Sequence, residues 1–157
     1  MKTPRTDRRE FCVHAVSFVA LASLVESCGG GGSPTSSGGG TGFPALPILT
    51  GASANNNVTL TVDASSPLAT VGNAALVQAS VGSFLVARTA QDTFTALTAV
   101  CTHQGCTITG YQSSTYGCPC HGSEFSTAGG VKNGPAASPL RQFATQFVNN
   151  VLTINLS

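Results

Sequence analysis

Residues 118–125 read CPCHGSEF: two cysteines around a proline, with a histidine directly behind them. The chain of 157 residues holds six cysteines and three histidines, so such crowding is not what ordinary core packing requires. Upstream, residues 101–106 read CTHQGC. Cys12, His14 and Cys28 belong to the first 28 residues, and the other residues of these two types all fall in the two short stretches. Thiolate and imidazole are the donors that zinc and iron prefer. Their concentration in two places points to a metal centre built from two loops.

The spacing shows how such a centre can be shared. Cys101 and His103 are two apart, Cys118 and His121 three apart, and 14 residues lie between His103 and Cys118. Each loop can offer one thiolate and one imidazole. A mononuclear zinc site with two of each satisfies that count, and it leaves Cys106 and Cys120 over. In an exported protein these two can form a disulfide that ties the loops together.

CTHQGC with CPCHGS resembles the paired motif of the Rieske iron–sulfur proteins, which hold a [2Fe–2S] cluster with two cysteines on one iron and two histidines on the other. The resemblance covers about residues 71–156, including VGNAALV before the first box and NGPAASPL after the second. It implies that Cys101 and Cys118 ligate the inner iron, His103 and His121 the outer one, and that Cys106 and Cys120 form the disulfide of the cluster loops. It implies that Gly134 and Pro135 match the proline loop that covers the cluster. Neutral imidazoles in place of two thiolates raise the potential to roughly −150 to +300 mV, against about −400 mV for plant-type ferredoxins. Ser123 occupies the position from which high-potential members donate a hydrogen bond to a bridging sulfide. Phe125 stands where those members carry a tyrosine that bonds a cysteine sulfur, and Gln104 where quinol-oxidising members commonly have leucine.

Outward from the two loops, the body reads as strand and turn. Residues 58–62 (VTLTV) alternate apolar and polar, and residues 75–81, 84–88 and 94–100 are short β-rich runs. QFATQFV (142–148) and VLTINL (151–156) flank Asn149-Asn150, a two-residue hairpin turn in which asparagine tolerates positive φ. No segment carries a useful helical stripe. The expected fold is all-β, a small antiparallel Rieske-type sandwich or barrel with a two-loop cluster-binding subdomain, over residues 46–157.

The first 28 residues read as an export segment. A basic start with Arg8-Arg9 precedes an apolar run over residues 11–25, too short for a span of about 20 and suited to a signal peptide. The arginine pair with Phe11 resembles a twin-arginine signal, and residues 24–28 (LVESC) resemble a lipoprotein box in which Cys28 is acylated. An uncleaved anchor is the alternative. Residues 29–45 follow as a glycine- and serine-rich linker, and a flexible tract of this kind spans roughly 20 Å.

Charge narrows the partners. The chain has a formal net charge of +1, and beyond the export segment Arg88, Lys132 and Arg141 stand against Asp63, Asp92 and Glu124. Without a basic stripe, nucleic-acid binding has no support. The resemblance assigns both body histidines to the cluster, which leaves no histidine here for an oxygenase iron held by two histidines and a carboxylate. The resemblance therefore implies an electron-transfer subunit, not an independent catalyst, on the extracytoplasmic face of a bacterial membrane. A quinol-oxidising cytochrome b and a cytochrome c are its expected partners. An arsenite-oxidase-like small subunit, a stand-alone Rieske ferredoxin and a zinc-stabilised binding module are the alternatives.

Overall fold

The computed structural model describes residues 42–157. The export segment, Cys28 and the glycine-rich tract up to residue 41 lie outside the described residues. Among the described residues no helix is long and apolar enough to cross a membrane. The strands are β1 (Ile48–Thr50), β2 (Ala52–Ala54), β3 (Asn57–Thr61), β4 (Ala74–Ala79), β5 (Gly82–Ala90) and β6 (Thr93–Thr98), then β7 (Gly110–Gln112), β8 (Thr115–Gly117), β9 (Glu124–Ser126), β10 (Val131–Asn133), β11 (Gln142–Val148) and β12 (Val151–Asn155). A 3-10 turn at Pro67–Ala69 is capped by Ser66, whose side chain accepts from the Leu68 N–H.

Eight strands form one sheet in the order β1-β4-β5-β6-β11-β12-β3-β2. Its two edge strands, β1 and β2, are consecutive in the chain with only Gly51 between them, so the backbone itself closes the sheet into a barrel. Gly51 is buried there, and a Cβ on it would fall 2.5 Å from Val58 Cγ1 and 3.1 Å from Val77 Cγ1. All pairings in this sheet are antiparallel except β1 with β4, which are parallel. The smaller sheet, β10-β9-β8-β7, is inserted between β6 and β11.

Burial follows from this two-layer plan. In β4, β5 and β6, side chains alternate between the barrel interior, which takes Ala75, Val77, Phe84, Val86, Phe94 and Ala96, and the layer beneath the small sheet. That layer takes Ala74, Leu76, Leu85, Ala87 and Leu97 from these strands, with Ile108, Tyr116 and Phe125 from the inserted segment. Covered on both faces, β4 and β5 read as continuous apolar runs. By contrast β3 and β12 bury one face and show strict alternation. Burying each large aliphatic or aromatic side chain contributes about 1.5–3 kcal/mol relative to exposure.

The hairpin at Asn149-Asn150 is present, with φ of 51° and 61°. Asn55-Asn56 and Ser113-Ser114 turn the chain in the same left-handed way, with φ of 49° and 61° and of 48° and 59°. Two positive φ values in a two-residue loop match the right-handed twist of the flanking strands.

Candidate metal centre

The two cysteine–histidine loops are built alike. The first leaves β6: the Cys101 N–H donates to the Cys106 carbonyl (2.8 Å), and the Gly105 N–H donates back to the Cys101 carbonyl (2.9 Å). The second leaves β8: the Cys118 N–H donates to the Ser123 carbonyl (2.9 Å), and the Gly122 N–H to the Cys118 carbonyl (3.2 Å). Each return bond comes from a glycine in the left-handed region, φ +75° at Gly105 and +73° at Gly122. Glycine adopts that conformation at no steric cost, so the motif glycines set the loop shape. A disulfide joins Cys106 to Cys120 across the loops.

Cys101 and Cys118 take no part in a disulfide and are buried in the layer under the small sheet. Burial pushes the Cys118 thiol up; backbone N–H of Cys120 and His121 pull the other way, and the Cys101 thiol beside it adds to the rise. The two imidazoles form a second pair, their ring centroids 4.9 Å apart and nearly perpendicular. His103 is half-buried and His121 exposed. The His103 Nδ1 atom is buried and has no hydrogen-bond partner among the described residues. A buried polar atom without a partner costs about 1–3 kcal/mol, so this nitrogen fits a metal bond.

The third wall is the loop after β10. Gly134 has φ +89°, and a Cβ there would meet Ser123 Cα at 2.6 Å and the Gly122 carbonyl at 2.7 Å. The Ala136 N–H donates to Ser123 Oγ (3.2 Å), and Thr102 Oγ1 donates to the Ser138 carbonyl (2.6 Å). One bond thus holds this loop to each cysteine–histidine loop, and Pro135 is exposed. Ser123 is fully buried, and its oxygen already accepts, which leaves its hydroxyl hydrogen to donate. Phe125 is fully buried on β9, directly across from Tyr116 on β8. Burial pushes the Tyr116 phenol well above its usual range, and the Tyr111 phenol adds to this. Gln104 is exposed at the tip of the first loop.

The four donors are arranged thiol beside thiol and imidazole beside imidazole. A paired donor set suits two metal ions bridged by sulfide better than one tetrahedral ion. The Rieske [2Fe-2S] domain family matches residues 59–144, just over half of the chain. The chain belongs to that family.

The Rieske domain resembles the cytochrome b6-f complex iron-sulfur subunit of Chlorobaculum thiosulfatiphilum, at 36% identity over 62 residues, 39% of this chain and 34% of that protein. It is 44% identical over 54 residues to the ubiquinol-cytochrome c reductase iron-sulfur subunit of Blastochloris viridis, covering 33% and 30% of the two chains. The match to the cytochrome b6-f complex iron-sulfur subunit of Prochlorococcus marinus runs over 110 residues at 36% identity, 66% of this chain and 57% of that one. The matched part thus spans between 30% and 57% of the length of these relatives. Among solved structures, a chain from the complex of reduced oxygenase and oxidized ferredoxin in carbazole 1,9a-dioxygenase superposes with TM-score 0.51 at 23% identity, over 63% of this chain and 94% of that chain. The quaternary ammonium Rieske monooxygenase CntA superposes with TM-score 0.52 at 17% identity, over 63% of this chain and 32% of its own. These two likenesses establish the fold. The domain is a Rieske electron-transfer domain whose cofactor is a [2Fe–2S] cluster.

Sequence reasoning put forward every motif residue of the two loops. It missed Thr102, whose hydroxyl reaches the third loop. No local signal marks that role, because it depends on which distant segment lies opposite.

Proposed function

We propose that this protein is an exported, membrane-tethered electron carrier that serves as the Rieske subunit of a respiratory quinol-oxidising, cytochrome bc-like complex. In this reading Cys101 and Cys118 hold the inner iron, while His103 and His121 hold the outer one. The observation that carries the assignment is the layered donor set, with the thiols buried, the imidazoles more exposed and His103 Nδ1 buried without a hydrogen-bond partner. When bound, the cluster supplies one-electron chemistry at the raised potential that two neutral imidazoles confer.

The chain's own residues do the rest. The cysteines keep the negative ligands away from water, and bonding through Nδ1 leaves the other ring nitrogen of His103 for the outer side. His121 stands exposed, where a partner can approach it. The disulfide and the bonds from Thr102 and Ala136 hold three loops as one rigid mouth. Ser123 retains a hydroxyl hydrogen that can stabilise negative charge on sulfur. Attachment at Cys28, or an uncleaved N-terminal anchor, supplies the tether, and a cytochrome b and a cytochrome c are the proposed partners.

The test begins with full-length protein purified without added metal. Iron and acid-labile sulfide in equal amounts, two of each per chain, with an EPR signal on reduction, are expected. A colourless, EPR-silent protein with stoichiometric zinc would overturn the assignment. Extraction from membranes with a bound b-type cytochrome supports membership of a quinol-oxidising complex.

A second reading is an exported Rieske carrier outside such a complex, of the arsenite-oxidase-like or stand-alone kind. Two observations favour it: exposed, polar Gln104 at the loop tip and buried Phe125 without a hydroxyl. Recovery from the soluble extracytoplasmic fraction, without a cytochrome b, would select it.

A further inference from the structure

Residues 43–46 join the glycine-rich tract to the barrel, yet they meet the small sheet first. The Tyr111 N–H donates to the Pro44 carbonyl (2.9 Å), Ala45 bridges Gly110, and the Leu46 N–H donates to the Thr109 carbonyl (2.7 Å). This segment therefore adds an edge to the small sheet beside β7.

Phe43 lies across Gly110 and Gly117, which pair directly between β7 and β8. A Cβ on Gly110 would fall 2.7 Å from Phe43 Cβ, and one on Gly117 would fall 2.6 Å from Phe43 Cδ2. Neither glycine is in the left-handed region, so the backbone does not demand glycine there. The space for one ring does, and an aromatic laid over strand glycines is a known way to pin register. Tyr116 and Cys118 are buried in the core layer on either side of Gly117. Because alternate strand residues face opposite ways, the ring braces β8 from the other face, one residue before Cys118.

From this geometry we propose that Phe43 is a positioning residue for the cluster: it clips the root of the tether onto β7 and β8 and holds the strand that carries Cys118. The proposal rests on Cys118 being an iron ligand. It places any pull along the tether on the cluster-bearing sheet before the barrel. It also excludes water from the outer side of the strand that delivers the thiolate.

The experiment compares full-length, cluster-loaded wild type with Phe43→Ala, Phe43→Leu and a barrel control, Gly51→Ala. Midpoint potential, reduced-state EPR line shape, iron loss to a chelator and thermal unfolding are read for each. Phe43→Ala is expected to release iron several-fold faster and to shift the midpoint upward, since water reaching the sulfurs favours the more negative reduced state. Phe43→Leu recovers part of both effects, while Gly51→Ala lowers the unfolding temperature with wild-type potential and line shape. Phe43→Ala that stays folded as apoprotein but assembles no cluster also supports the proposal. A Phe43→Ala protein with lowered unfolding temperature but wild-type potential, line shape and iron loss would overturn it. If Phe43→Ala loses fold and cluster together, wild-type values in Phe43→Leu overturn it as well. A wild type without an EPR signal would instead sink the metal-centre assignment, so the two failures are distinguishable.

Discussion

Ser123 and Phe125 are both fully buried at the second cysteine–histidine loop, but only Ser123 has a side-chain hydroxyl that can donate a hydrogen bond. A donor aimed at sulfur favours the reduced cluster, which carries more negative charge. Ser123→Ala should therefore lower the midpoint potential and Phe125→Tyr should raise it. A differential of about 1.4 kcal/mol between the two oxidation states corresponds to ~59 mV for one electron, so shifts of tens of millivolts are expected by voltammetry. An unchanged midpoint in Phe125→Tyr would sink the explanation that a missing hydroxyl sets this protein's potential. Sequence reading singled out these two positions through the resemblance of CPCHGSEF to the family motif, and the structure shows both to be buried. Thr102 was not singled out: its hydroxyl works through the Ser138 carbonyl, 36 positions away, and a threonine between two motif residues has no feature that foretells this.

Legibility changes with strand length. The strands β3, β4, β5, β6, β11 and β12 were readable to within a few residues, since five or more positions give a periodicity or an apolar run to detect. The three-residue strands β1, β2 and β7 to β10 were not, because no period can be established over such a length. Pairing was equally hidden; the parallel contact of β1 with β4 reflects barrel closure through Gly51, and no hairpin signal accompanies it. Two glycines test the elements they serve. Gly51→Ala must push Val58 and Val77 aside, an overpacking cost of about 1–3 kcal/mol, seen as a lower unfolding temperature. Gly134→Ala combines a left-handed backbone with contacts onto the Ser123 and Gly122 backbone, and strain of this kind costs about 1–3 kcal/mol. The third loop must then move off Ser123, so faster iron loss to chelator is expected; a wild-type rate would show that this loop does not shield the cluster.

At the scale of the molecule, three cations and three acids in the body leave little long-range field. Electron exchange with a partner should change only slightly between low and high ionic strength in stopped-flow measurements, because steering falls with salt only where steering exists. A steep salt dependence would point instead to a strongly charged surface on the partner acting on local dipoles here. The insertion of the cluster-bearing sheet between β6 and β11 has one more consequence. Those two strands are paired at Leu97 with Gln142 and at Ala96 with Phe143, and the Thr98 N–H donates to the Arg141 carbonyl (2.9 Å). The inserted segment therefore departs and returns at a single clasp, like a tool head on a handle. Its mouth can be refitted for a different redox customer without altering the register of any barrel strand, so long as the replacement still covers Leu76, Leu85 and Leu97.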